Sequence, residues 1–590
     1  MAADPLAPLH AIFAGSTMLL ARPNGDFDAA DDVKRASHEG LFDRDCRVLS
    51  RRRLTIDGVS PSSPSIVSSS PERVHLRAVW HKRGGSAEGP ALPEDALGLD
   101  VRRRVGRGLV EDVRIDNHSA VPFRGVLRID IAADFRDQLA LAHDELPPTI
   151  AYAVDDDDDD DVNTLRIDAT FTHRGRVHRR ATLVRCVPAP RVGVVDGARG
   201  GASLEITLLI GARASFALRT VVATESDGDW RVPSIDADVV DEAERARAAF
   251  HERRTKLRTT SPALAAAFAR SADDLVALRM EGGSDAAWVP QAGAPSSTGL
   301  FGRDALTSSW QAALLGPEML RGALAAIAAC PGRRDDPFRD EEPGKLLHEA
   351  RTGPLSVLDV VPQRAYYGSA TTAKMFVVAL SEAWHWTADR ALLETYVDTA
   401  RNALGWAEEY GDADGDGLLE YETRSPRGLR NQGWKDSDEA IRHADGSIAP
   451  TPIATLEEQA YLAVALERMA EIETVLHDAD AAAALAARAL ACKRRVHERF
   501  WQEDLGFYAM ALDADKRPVR SIGSNGIHAL AAGVVPNELA ARVADRLLAP
   551  DLWTGFGVRT LSSTHPSYNP FAYHLGAVWP VEAATVLVGL

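Results

Sequence analysis

The stretch DVVDEAERARAAFHERRTK, residues 238–256, is where the hydrophobic period of the chain changes. Its Ala, Glu and Arg content predicts a charged helix. Upstream, apolar and polar residues alternate at 47–56, 73–80, 108–116, 123–132, 165–172, 181–187 and 203–223, with clusters of Gly, Pro, Asp and Ser between the runs. That pattern predicts an antiparallel β-sandwich or barrel over residues 1–225. The Ser/Pro-rich segment 60–71 reads as a loop. Seven consecutive Asp at 155–161 read as a self-repelling exposed loop rather than a metal site. Residues 226–258 form a helical linker. From 259 to 590 the period is helical, with candidate helices near 261–281, 303–315, 317–330, 370–387, 389–409, 453–474, 478–501, 522–532, 536–549 and 577–590. Paired as hairpins, they point to an α/α barrel or a helical solenoid. The loops between them are long and aromatic, as expected of a face that carries a site.

The 590 residues are 45% apolar and 26% charged, which excludes a wholly disordered or fibrous chain. The net charge of −18 argues against a general nucleic-acid binder, whose affinity rests on Lys and Arg meeting phosphate. Cys46, Cys186, Cys330 and Cys492 include no CxxC pair, so neither a disulfide framework nor a Cys-rich zinc site is expected. No signal peptide or membrane span is visible, and the expectation is a cytoplasmic protein with no membrane partner.

The densest chemistry lies in NQGWKDSDEA, residues 431–440. A Trp face stacks on the apolar face of a pyranose, and its apolar surface raises a neighbouring carboxyl toward the pKa of a general acid. The carboxylates there are Asp436 and Asp438. The same segment also reads as a cap, with Asp436 or Ser437 starting a helix near 438. Other polar and aromatic clusters occur at the starts of successive hairpins: GLFGRD (299–304), KLLHEARTG (345–353), Tyr366–Gly368, LEEQAY (456–461) and YNPFAYHLGAVWP (568–580). Taken singly, Asp304 reads as a cap, Glu457 as a surface charge, and Tyr573 and Trp579 as core. Together they would line one pocket of carboxylates, Arg, His, Tyr and Trp, the lining of a neutral-sugar site. DADGDG, with Asp412, Asp414 and Asp416, resembles the first half of a calcium loop. An EF-hand would need a Glu at position 12, where Thr423 stands, so a modified calcium loop or a plain Asp/Gly turn is expected. No cofactor is required by any motif.

These pieces, in order, resemble a known family. MLLARPNGDF and EGLFDRDCRVLSRRRLTIDG are similar to the N-terminal β domain of bacterial glycogen-debranching-type proteins. GLFGRDALTS, EEPGKLLHEARTG, YYGS, GDGLLEYETR, NQGWKDSDEAI, PIATLEEQAY, FGVRTL and YNPFAYHLGAVWP are similar to its amylo-α-1,6-glucosidase-like catalytic domain. The resemblance implies a six-hairpin (α/α)6 barrel after the β-sandwich and an inverting glycosidase acting on an oligo- or polysaccharide. By that analogy Asp436 is the general acid. Arg303, Asp304, Glu349, Arg351, Tyr367, Trp434, Lys435, Glu457, Gln459, His574 and Trp579 would line the sugar subsites.

Inversion also needs a carboxylate base roughly 6.5–9.5 Å from the acid. The family's late RLPELF-like segment has no counterpart after Trp579. The resemblance therefore implies that the last hairpin and the base lie beyond residue 590, leaving Val578, Val581, Val586 and Leu587 uncovered. Glu582 lies inside the predicted last helix and carries no loop signal. Ala370, Thr371 and Lys374 depart from the family pattern after YYGS. So do Asn525–Gly526–Ile527–His528 in the SNPGH-like segment and Leu575 before the late WP motif. These departures leave two other expectations open: a non-hydrolytic carbohydrate-binding relative, and an inverting phosphorylase on the same barrel.

Overall fold

The computed structural model describes residues 9–29, 37–80, 92–141, 145–156, 163–195, 200–233 and 242–589. They form two units. The first comprises residues up to Gly282 together with Gln291–Gly299 and Arg351–Val361; the second comprises Gly283–Pro290, Leu300–Ala350 and Pro362 onward.

The first unit is β-rich. One sheet runs in the order Thr149–Asp156, Asn163–His173, Arg176–Val187, Ser215–Ser226, Gly108–Asn117, Leu97–Gly106, Arg73–Trp80, Ser62–Ser69. A second runs Arg191–Val195, Gly201–Ile210, Phe123–Ala132, Arg51–Ile56, Phe27–Asp28. The paired strands are antiparallel throughout. Inward residues of both sheets, among them Ile167, Val113 and Leu218 from one and Leu54, Ile129 and Leu204 from the other, join a single apolar core. That is the sandwich arrangement, with central strands such as Asn163–His173 burying alternate residues.

Two readings of the sequence are corrected here. Ser62–Ser69, expected as loop, is an edge strand, exposed along almost its whole length and bulged near Pro64. Backbone pairing to Arg73–Trp80 makes it a strand, and Pro is tolerated because it sits at an edge bulge. The run 47–56 is two strands: Cys46–Leu49 belongs to a separate four-stranded sheet, and Ser50 separates it from Arg51–Ile56. Of the Asp tract, Asp155 and Asp156 end a strand, and residues 157–161 lie outside the described residues.

Helices α1 (Glu242–Arg253) and α2 (Pro262–Ala277) also belong to the first unit, so the helix expected at 261–281 is not part of the helical half. The first piece of this unit runs to Gly282. The short α5 (Pro354–Val357) belongs to the first unit too, in a segment stitched on by polar contacts. Asp45 accepts from the Thr352 backbone at 2.8 Å, and Asp137 accepts from the Leu355 backbone at 2.9 Å.

The second unit is helical. It holds α3 (Gly302–Gln311), α4 (Glu318–Ala328), α6 (Thr371–Thr387), α7 (Arg390–Glu409), α8 (Leu456–Leu476), α9 (Ala479–Phe500), α10 (Asn525–Ala531), α11 (Asn537–Leu547) and α12 (Pro580–Gly589). Consecutive helices pack as hairpins: α3 with α4, α6 with α7, α8 with α9, α10 with α11. The first member of each hairpin also packs on the first member of the next, giving an inner row α3, α6, α8, α10, α12. Inner helices α6 and α8 bury residues on every side, whereas α7 and α9 bury one stripe. A helix buried all round is a core helix, and a striped one faces solvent. Frequent Ala on α6 and α8 (Ala373, Ala379, Ala463, Ala470) lets the inner row pack closely. Val578 and Val581 are half-buried, and the side chains of Val586 and Leu587 lie outside the described residues.

Candidate active site

The loop 431–437 forms no helix, so Asp436 and Ser437 are not caps. The loop is braced instead. Asn431 Nδ2 donates to the Ser437 carbonyl at 2.7 Å, and the Ala370 backbone N–H donates to the Gln432 carbonyl at 2.8 Å. Asp340 fixes its approach. This buried carboxylate accepts from Tyr366 Oη (2.9 Å), Thr423 Oγ1 (2.9 Å), the Arg424 backbone (2.7 Å) and Gln432 Nε2 (3.1 Å). Buried carboxylates persist when so satisfied.

Around this loop, four inner helices present a residue from their first turn. Helix α3 brings Arg303 and Asp304, α8 brings Glu457, α10 brings Asn525 and α12 brings Glu582. Gly302 explains the GLFGRD motif: its N–H donates to the His348 carbonyl at 2.8 Å, and a Cβ there would fall 2.0 Å from the Leu347 carbonyl oxygen. Only glycine lets the start of α3 come that close.

Arg303 is the hub. Its guanidinium donates to the Gly433 carbonyl at 2.9 Å and to Asp436 Oδ2 at 3.0 Å, lies 3.6 Å from Asp304, and sits over the Trp434 ring at 5.6 Å. Burial lowers its pKa, but Asp304 and Asp436 outweigh that and hold it above the usual arginine value. Asp436 keeps part of its carboxyl exposed, about 18% of the side chain. Burial pushes its pKa up more than Arg303 pulls it down, so the acid form persists to higher pH than for an ordinary Asp.

Trp434 is almost fully buried and donates through Nε1 to Glu582 Oε1 at 2.8 Å. Its ring meets Trp579 edge-on at 5.2 Å and His574 at 5.6 Å. Burial lowers the His574 pKa to about 3, so the ring is neutral and Nδ1 accepts from Ser437 Oγ at 2.9 Å. Lys435 donates to Asn525 Oδ1 (2.6 Å) and to the Thr560 carbonyl (2.7 Å), and burial lowers its pKa. Asn525 in turn donates to Glu457 Oε2 at 2.6 Å, and burial raises the Glu457 pKa. Glu457 is fully buried, not the surface charge one reading of LEEQAY suggested.

The sequence-derived residues do not all converge. Arg303, Asp304, Trp434, Lys435, Asp436, Glu457, His574 and Trp579 form one connected group. Tyr367 is buried in the second unit, with burial raising its pKa to about 12, and its backbone N–H donates to the Arg339 carbonyl at 2.9 Å. Glu349 pairs in a two-residue strand with Phe301. Both ends of the Gln459 amide bond the Leu419 backbone, at 2.8 and 2.6 Å, so this side chain holds a loop. Arg351 belongs to the first unit and lies 3.5 Å from Asp45. The calcium reading also shifts. Asp412, Asp414 and Glu420, rather than Asp416, bring carboxylate oxygens within 4.8 Å of one another. Thr423 at EF-hand position 12 is spent on Asp340.

Sequence reasoning set Glu582 aside, named His528 only as a departure from the family pattern, and missed Asp340. Glu582 is buried; burial raises its pKa, but contacts from His528 (3.4 Å), Lys435 and Ser524 Oγ (2.5 Å) outweigh that and hold it low. His528 also bonds Tyr461 Oη at 2.8 Å. Asp340 hid in an acid-rich loop. Glu582 sits in the first turn of α12, just after the WP pair, and that first-turn place is the signal that its helical position concealed.

Residues 12–219 match a family described as the N-terminal domain of some glycogen debranching enzymes. Residues 370–590 match the mannosylglycerate hydrolase MGH1-like glycoside hydrolase domain. Among curated proteins none matches. Solved structures with some likeness include the GH63 mannosylglycerate hydrolase of Thermus thermophilus, at 15% identity and TM-score 0.42 over 54% of this chain and 86% of that one. A GH78 family rhamnosidase of Bacillus sp. GL1 aligns at 14% identity and TM-score 0.40 over 71% of this chain and 40% of its own. The resemblance to debranching-type proteins holds, and the C-terminal part is a glycoside hydrolase domain. No helix among the described residues is long and apolar enough to cross a membrane.

Proposed function

We propose that this glycoside hydrolase cleaves an α-glucosidic bond, in an α-glucan or a smaller α-glucoside, with inversion at the anomeric carbon and with Asp436 as the general acid. The observation that carries the reading is the state of Asp436: partly exposed, raised in pKa, and set between Arg303 and the Trp434 loop. A carboxyl that keeps its proton can protonate the departing glycosidic oxygen. Trp434, Trp579 and His574 supply apolar and ring surfaces for a pyranose. Glu582 holds Trp434 through Nε1 and is a positioning residue. We read the inner row of helices as part of a six-hairpin (α/α)6 barrel, with the site where the first turns of those helices meet.

The test is incubation with limit dextrin, isomaltose, maltooligosaccharides and α-mannosylglycerate, with proton NMR of the first sugar released. Free β-glucose from an α-glucoside is expected. Hydrolysis of mannosylglycerate alone would move the substrate to the one named in the second family match. Turnover only with phosphate would mean phosphorolysis, and binding without release of sugar would mean a non-hydrolytic relative.

Arg303 provides a sharper check. Its positive charge lowers the Asp436 pKa and partly offsets burial. Removing it in Arg303→Met raises that pKa further, so the acid loses its proton later as pH rises. The alkaline limb of kcat against pH is expected to move to higher pH. A limb that stays or moves down would contradict Asp436 as the acid.

A further inference from the structure

The DADGDG loop, 412–417, is built like a cation site, and the structure places a cation of the protein's own in it. Lys516 Nζ lies 3.1 Å from Asp414 and 3.1 Å from Asp416, and it also contacts Glu420, whose side chain is only 4% exposed. Carboxylates also shape the loop itself. Asp412 accepts from the Gly417 backbone at 2.9 Å, and Asp416 accepts from the Leu418 backbone at 2.9 Å. Three carboxylates thus pair with one ammonium. The Lys516 contact is the leading cause of the lowered Asp414 pKa.

The chain spends backbone strain to deliver this side chain. Lys516 has φ of +59°, in the left-handed region that non-glycine residues rarely occupy. It stands at the tip of a tight hairpin between Ala511–Leu512 and Pro518–Val519. Asp513 pins that tip by accepting from the Asp515 backbone (3.0 Å) and the Arg517 backbone (2.9 Å). A strained residue held by its surroundings marks a position with a task.

We propose that Lys516 is the resident cation of this loop: a tethered ammonium that takes the place of a calcium ion and makes the loop's structure independent of metal. The lock fastens the 412–417 loop to the 513–517 hairpin. Immediately downstream of the loop the chain reaches the candidate site, since Leu419 is held by Gln459 and Tyr421 Oη donates to Asn431 Oδ1 at 3.2 Å.

The proposal makes opposite predictions for two forms of the protein. In the wild type, melting temperature should be the same in millimolar Ca2+ and in EDTA, and calorimetric titration with CaCl2 should show no site. Lys516→Met should melt lower in EDTA, by on the order of 5 °C, and recover in Ca2+ with one ion bound. Adding Asp414→Asn to that variant should abolish the rescue. Wild-type binding of one Ca2+ with a rise in melting temperature would overturn the proposal, because the seat would then belong to the metal. So would Lys516→Met that neither loses stability nor responds to Ca2+. Should Lys516→Met fail to fold, the wild-type titration decides alone. Lys516→Arg, which keeps the charge, should stay insensitive to Ca2+.

Discussion

Asp436→Asn is expected to lower kcat on an unactivated α-glucoside by roughly 10^3-fold, within the range a positioned general acid supplies. The amide nearly matches the carboxyl in size and still offers an oxygen to Arg303 Nη2, now 3.0 Å away. What disappears is the proton for the leaving oxygen. A glycoside whose leaving group departs without protonation, such as a nitrophenyl glycoside, should therefore lose much less. KM should change little, because binding by Trp434 and Trp579 is untouched. The measurement is kcat on both substrates together with a melting curve. Equal losses on both, or a loss that tracks a collapse in melting temperature, would mean that Asp436 acts structurally and not as the acid.

The largest stability effect is expected one turn into α6. Lys374 and Glu458 are both fully buried and paired, and Thr371 Oγ1 also bonds Glu458. Burial lowers the Lys374 pKa against the pull of Glu458. Breaking such a pair strands a charge without water or partner, which costs about 3–5 kcal/mol. Lys374→Met should thus lower the melting temperature by on the order of 10 °C. Replacing both, Lys374→Met with Glu458→Leu, should recover most of the loss, leaving only the Thr371 hydroxyl without its acceptor. Calorimetry of the two variants distinguishes the cases. A double variant as unstable as the single would mean that the pair itself, and not the stranded charge, supports the core.

Lys374 also illustrates what could be read from the chain alone. It is visible as a departure from the family pattern after YYGS, but nothing in its neighbourhood shows that it answers Glu458, eighty-four residues away. Helices were legible because apolar spacing reports burial directly, and the NQGWKD loop because Trp beside a carboxyl is rare chemistry. Contacts set by the fold were not. Arg351 lies two residues after Glu349, just past the strand Glu349–Ala350, yet sits in the other unit. Gln459 shares a helix turn with Glu457 but faces a backbone. Asp340 looked like one acid among Asp335, Asp336, Glu341 and Glu342, and only its five donors set it apart. The strand Ser62–Ser69 is held by backbone bonds, to which its composition is blind.

The first unit draws on three separate pieces of chain, the last ending at Val361. A ribosome adds about 5–20 residues per second, so Asp45 and Asp137 wait some tens of seconds for Thr352 and Leu355 to emerge. Until then Asp137 still caps its own turn through the Leu139 backbone, but both carboxylates lack their partners on the last piece. Synthesis and completion of this unit are thus out of step. A gene fragment stopped at the helical linker would encode every strand of the sandwich and still lack the Thr352 and Leu355 donors to Asp45 and Asp137.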